Sequence, residues 1–161
     1  MSEKLLTLED MQAYVGTSAP PNVLHLEQQV VRRYIEAVQD PNPLWCDEAY
    51  AKDTAYGGTI VPPHIFCTLM SITHCSHESG VVPVPVPNVP LPRSNVLEGE
   101  ETWEHFTPAR IGDVITSTCT LTDVKVREGR LGEMFIMVCE ANSLNQRGEL
   151  VCRSVNTIVN Y

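Results

Sequence analysis

The sequence predicts an α+β fold in a single domain spanning residues 1–161. Three observations carry this reading. Helical periodicity fills the first half, strand-like alternation with short turns fills the second, and between them runs a segment apolar nearly all round. Helices followed by a meander of sequential strands imply an antiparallel sheet with the helices kept apart from it. A helix without a polar face is buried, so other structure must wrap it.

Taken in order, Thr7 caps a short first helix, with Asp10 three residues on to complete the cap. That helix ends by Gly16 and the Ser18-Ala19-Pro20-Pro21 turn. Val23 to Leu26 reads as a brief strand. From Glu27 to Gln39, residues Val30, Val31, Tyr34, Ile35 and Val38 form one apolar stripe. Asp40-Pro41 ends this helix, because a proline ring disfavours helical backbone at the residue before it. An acidic, proline-broken loop follows, then a short capped helix from Asp47 to Asp53, then a tight passage at Gly57-Gly58.

Pro62 and Pro63 suit the first turn of the buried helix, where no amide donor is needed. Ile65, Phe66, Cys67, Leu69, Met70 and Ile72 continue it to about Cys75, and Gly80 stops it. Residues 81–93 carry five prolines, which favour stiff extended backbone and exclude a central strand. That run is equally a surface loop and a rim over a ligand cavity. Strands are expected from Asn95 to Phe106, Val114 to Val126, Gly132 to Leu144 and Leu150 to Val159. Their turns fall at Glu128-Gly129-Arg130 and Asn145-Gln146-Arg147-Gly148. In the second strand Ile115, Ser117, Cys119, Leu121 and Asp123 share one side.

The net charge of −9 argues against a nucleic-acid surface, which needs cations to displace phosphate counterions. It offers nothing to anionic lipid either. No stretch approaches the roughly 18 apolar residues of a membrane span. Met1-Ser2-Glu3-Lys4 does not open a signal peptide, so a cytoplasmic location is expected. The six cysteines are scattered and mostly lie inside apolar segments, as buried thiols do.

The leading chemical constellation is Asp40-x-Asn42-Pro43-x-Trp45-x-Asp47. Asp47 reads as a helix N-cap. Asp40 has two readings: a turn residue satisfying local backbone, or a carboxylate placed to accept a substrate proton. His64 sits at the start of the buried helix, beside amide donors able to hold a carbonyl oxygen. His74-Cys75-Ser76-His77 offers two imidazoles and a thiol but no further converging ligand, so no metal is expected.

These residues carry a resemblance to the MaoC-like dehydratases of the hot-dog fold, in particular the N-terminal-type half of double-hot-dog proteins. It runs from about Gly16 to Ile158. R-specific enoyl-CoA hydratases of that family read D-x-N-P-x-H-x-D, followed by a short helix and an I-A-H-G segment. Asp40, Asn42, Pro43 and Asp47 match, and Ile60-Val61-Pro62-Pro63 stands in place of I-A-H-G. Phe106-x-Pro108-x-x-x-Gly112-Asp113 and Asn145-Gln146-x-Gly148-Glu149-Leu150-Val151 match later family segments.

The resemblance implies a curved antiparallel sheet around a long helix, pairing as a homodimer or with a second hot-dog subunit, and acyl-CoA bound between partners. No cofactor is implied beyond that ligand. Asp40 is the implied catalytic carboxylate, with Asn42, Trp45, Gly58, Pro62 and Pro63 against substrate. The family's catalytic histidine falls on Trp45, whose indole donates one hydrogen bond and does not titrate. The first expectation is therefore an acyl-binding subunit of a heteromeric enoyl-CoA hydratase or 3-hydroxyacyl-CoA dehydratase. The alternatives are a self-sufficient hydratase using Asp40 with His64, and an acyl-CoA thioesterase in which one carboxylate is base or nucleophile.

Overall fold

A computed structural model describes residues 6–73, 87–130 and 132–161; of residues 70–73 it describes the backbone alone. The elements follow the expected order. Thr7 caps α1 (Leu8–Gln12) with a reciprocal capping box to Asp10, and Met11 of this helix is fully buried. Next come β1 (Asn22–His25) and α2 (Gln28–Val38). In α2, Val31 is buried and Tyr34 and Ile35 pack beside it, while Val38 at the end of the stripe is exposed. The helix closes at Gln39, whose backbone is left-handed at φ 54°. The loop expected after it contains a further turn of helix, α3 (Pro43–Cys46), before α4 (Glu48–Lys52).

The central helix is α5 (Ile65–Thr73), and its start differs from the sequence reading. Pro62 to His64 form a lead-in turn, closed by Ile65 N–H to the Pro62 carbonyl and Phe66 N–H to that of Pro63. His64 therefore precedes the helix and is exposed. The residues expected to finish the helix, Cys75 and the stop at Gly80, lie outside the described residues. So does His74-Cys75-Ser76-His77, together with 81–86 of the proline run. From the described end of that run, Pro87 and Pro92 are buried and Val89 packs on the core.

Strands β2 (Val96–His105), β3 (Val114–Gly129), β4 (Gly132–Leu144) and β5 (Leu150–Asn160) join β1 in one sheet of order β1-β3-β4-β5-β2. Every pairing is antiparallel. The side-chain alternation expected in β3 holds through Leu121 and then breaks. A bulge between Leu121 and Asp123 turns Val124 inward and leaves Asp123 half-exposed. One extra residue on one strand reverses every face beyond it. Thr122 at the bulge donates its hydroxyl to the Val138 carbonyl.

Two apolar clusters lie on the inner face of the sheet. One gathers Met11, Leu121, Val124, Phe135 and Met137 under α1. The other gathers Val31, Val61, Ile65, Phe66, Ile115 and Val151 between α2, α5 and the sheet. Among the described cysteines, Cys119, Cys139 and Cys152 are buried, Cys67 is half-buried and Cys46 is exposed.

Candidate functional site

The loop that carries the Asp40 constellation is built from local hydrogen bonds. Asp40 Oδ1 accepts from Asn42 N at 3.2 Å. Asn42 caps α3, its Oδ1 accepting from Leu44 N at 3.0 Å. Asp47 caps α4, accepting from Tyr50 N at 3.1 Å. Trp45 donates its indole N–H to the Asp40 carbonyl at 3.1 Å. Asp40 and Asp47 are exposed, whereas Asn42 and Trp45 are half-buried. Asp40 lies within electrostatic reach of Tyr34. Burial lifts that phenol's pKa, a hydrogen bond with Thr68 opposes the rise, and the charge of Asp40 adds to it.

Gly58 is buried, at φ 151°. A side chain there would press on Arg110 Nη1, 3.3 Å from the Cβ position. Arg110 clasps this diglycine loop through the Tyr56 carbonyl and, at 2.9 Å, the Thr59 carbonyl. Its own position is set by Asp113, which is only 4% exposed. The Asp113 carboxylate accepts from Arg110 N at 2.8 Å, Gln146 Nε2 at 2.9 Å and Arg147 Nη1 at 3.2 Å. Burial alone would raise its pKa, but the bonds from Gln146, Arg110 and Arg147 outweigh it and hold the carboxyl below the usual range. The Phe106-to-Asp113 segment thus carries the chain from β2 at one edge of the sheet to β3 near the other.

A cavity of about 190 Å³ opens between that segment and the start of α5. Ile60, Val61, Pro63 and Phe66 line it together with His105, Phe106, Pro108, Ala109 and Val151, and Tyr56 and Thr107 complete the lining. A concave, largely apolar site with a few polar groups is the usual form of a small-molecule pocket. Of the residues expected from sequence, the structure brings Pro63 into this lining. Pro62 is buried beside it in the chain, and Asp40, Asn42, Trp45, Gly58 and His64 lie outside the lining.

Sequence reasoning missed His105. Its ring lies 6.4 Å from Phe66 and stacks with Trp103 at 6.5 Å. Burial lowers its pKa below the ordinary imidazole value, and nearby His64 lowers it further. That shift favours the uncharged ring, which can both donate and accept. A histidine closing a strand one residue before Phe-x-Pro was the available sign. The thiols near it are poor nucleophiles. Burial, with a smaller addition from Cys67, pushes Cys152 up to about 11 against a hydrogen bond from Ser143. Burial and the charge of Glu101 raise Cys67.

A family model described as FAS1-like, dehydratase domain region, matches residues 13–154. The chain belongs to this dehydratase-region family. A UPF0336 protein of Thermobifida fusca is 31% identical over 139 residues, covering 86% of this chain and 85% of that one. Among solved structures, a MaoC-like dehydratase from Rhodospirillum rubrum superposes with a TM-score of 0.71 at 24% identity, over 97% of both chains. The HadBC (3R-hydroxyacyl-ACP dehydratase) complex of Mycobacterium tuberculosis gives 0.68 at 19% identity, over 91% of this chain and 97% of that one. The fold is that of the hot-dog dehydratases, α+β with an antiparallel sheet around a helix, as the sequence motifs implied. Among the described residues, no helix is long and apolar enough to cross a membrane.

Proposed function

We propose that this chain binds an acyl thioester, with acyl-CoA as its ligand, and serves as the acyl-binding subunit of a heteromeric enoyl-thioester hydratase or dehydratase. The observation that carries this is Trp45. It occupies the position of the family's catalytic histidine, and its only polar hydrogen is already committed to the Asp40 main chain. Acid–base work on a water requires a group that titrates or exchanges a proton. Indole does neither, so the loop keeps its carboxylate and lacks the imidazole that works with it.

The partner supplies what is missing. Strand β2 is an edge of the sheet, and Leu97 and Phe106 on or beside it are 55% and 48% exposed. An open edge with exposed apolar side chains is a template for pairing with another chain. The HadBC dehydratase was solved as a complex of subunits, which supports a second hot-dog chain as that partner. The test is calorimetry of the purified chain with octanoyl-CoA, alongside hydration of crotonyl-CoA. The proposal expects binding by the chain alone, and hydration after a partner bearing D-x-N-P-x-H is added.

His105 and His64 beside the cavity favour a second reading, a self-sufficient hydratase in which one of these imidazoles works with Asp40. Hydration by the chain alone, lost in His105→Gln or His64→Ala, would establish it. Release of free CoA from octanoyl-CoA would instead point to a thioesterase.

A further inference from the structure

Strand β2 leaves one side of its backbone unpaired among the described residues, because it ends the strand order β1-β3-β4-β5-β2. Edges that must stay single are often kept short or broken by proline. β2 is 10 residues long and contains no proline. With Leu97 near its start and Phe106 just past its end both exposed, its shape suits pairing with another strand. Its side chains decide which strand.

β2 carries Glu98, Glu100, Glu101 and Glu104, all exposed, and no lysine or arginine. Glu104 is ion-paired to Arg153 at 3.5 Å. Among the described residues, the other three have no cation within ion-pair reach. The bulge at Gly99 sorts the four onto two faces. Glu98 and Glu101 lie opposite the buried Ile158 and Asn156, on the inner face, while Glu100 and Glu104 lie opposite Thr157 and Arg153, on the outer face. The crowding is felt within one chain. Burial raises the Glu101 pKa, the Trp103 indole opposes that rise, and the charge of Glu98 adds to it.

A second copy meeting β2 about a twofold axis runs antiparallel to it, with each residue opposite one of the same face. The longest register centres on Glu101 and sets that carboxylate against its own copy. Centred on Glu100, the pairing opposes Glu100 to Glu100 and Glu98 to Glu101; centred on Thr102, it opposes Glu100 to Glu104. Like charges directly opposite are destabilising, and opposite charges there are favourable. The edge is therefore open in its backbone and closed to itself in its charge.

We infer that β2 is a partner-selecting edge, which accepts an antiparallel strand bearing lysine or arginine opposite Glu100 and Glu101 and excludes a second copy of this chain. Main-chain groups supply the pairing, and the glutamates supply the choice. That the occupant is the second subunit rests on the heteromeric reading above.

The test uses the full chain, with a charge-reversed copy of it, E100K/E101K, as the probe. Sedimentation velocity reads pairing, and hydrogen exchange of the β2 amides reads where it occurs. Wild type and E100K/E101K together pair about tenfold or more tightly than either chain with itself. The pairing protects the β2 amides and weakens as salt rises from about 0.05 M to about 0.5 M. A folded E100K/E101K that leaves wild-type β2 unprotected overturns the inference, as does protection of β2 in concentrated wild type alone. Should the lysines unfold the chain, E100Q/E101Q decides: it removes the repulsion at nearly constant shape. A homodimer protected in β2 supports the inference, and a monomer overturns it. Neither measurement involves a thioester. Pairing of the mixture beside hydration of crotonyl-CoA by wild type alone would end the subunit reading and leave the edge assignment standing. Octanoyl-CoA binding without hydration, with the mixture unpaired, would do the reverse.

Discussion

The Asp40–Asp47 loop and the inner face of β2 handle their polar groups in opposite ways. In the loop, Asn42 and Asp47 each cap a helix, Asp40 closes a turn, and Trp45 bonds the Asp40 carbonyl. On β2 and β5, the Trp103 indole nitrogen and the Asn156 amide oxygen are buried without a well-formed hydrogen bond, the indole having only the Glu101 carboxylate nearby. A motif recognisable by its spelling is held in place by its own local hydrogen bonds, while a strand with no motif leaves polar atoms short of partners. Polar groups satisfied at home hold a fold together, and buried polar groups left short of partners weaken it.

The comparison is broken most forcefully at Asp113, the best-satisfied buried carboxylate on the scaffold side. Asp113→Ala should cost about 3 kcal/mol, because Arg110 N–H and Gln146 lose a buried charged acceptor, read by urea denaturation. The pH dependence follows from the direction of its shift. Its folded pKa lies below the unfolded value, so its contribution is complete above the ordinary carboxylate range and disappears as pH falls through the lowered folded value. Asp113→Asn should therefore flatten the acid limb of the stability profile and leave its shape above that range unaltered.

Next in size is the scaffold loop itself. Asp47→Ala removes an N-cap and should cost about 1 kcal/mol. Trp45→Phe removes one hydrogen bond and should cost about 0.5–1.5 kcal/mol without weakening octanoyl-CoA binding. A large loss of affinity in Trp45→Phe would contradict the assignment of this indole to scaffold. The smallest effect is expected on the β2 and β5 side. Asn156→Leu should leave thermal stability unchanged or raise it by up to about 1 kcal/mol, since it removes an unmet buried group. A marked destabilisation would show that the amide is structurally satisfied after all.

Much of the fold was legible from local pattern. The bounds of β4, the turn at 145–148, the cap at Asp47 and the capping box at Thr7 all depend on residues within a few positions of one another. The β3 bulge was not, because Thr122 leaves the ladder in register with β4, a partner outside its own segment. The start of α5 moved because the diproline is accommodated as a lead-in turn rather than as the helix's first residues. The site was legible in part. Pro63 does fall in the cavity lining, whereas His105 meets Phe66 and Val151 only when β2 pairs with β5, some 50 residues later in the chain.

The most direct test of the central claim sets two readouts side by side on the purified chain: calorimetry with octanoyl-CoA and hydration of crotonyl-CoA. The account predicts saturable binding without hydration, with hydration appearing when a subunit carrying D-x-N-P-x-H is added. Turnover by the chain alone would contradict it and move the chemistry to Asp40 and the imidazoles of His64 and His105.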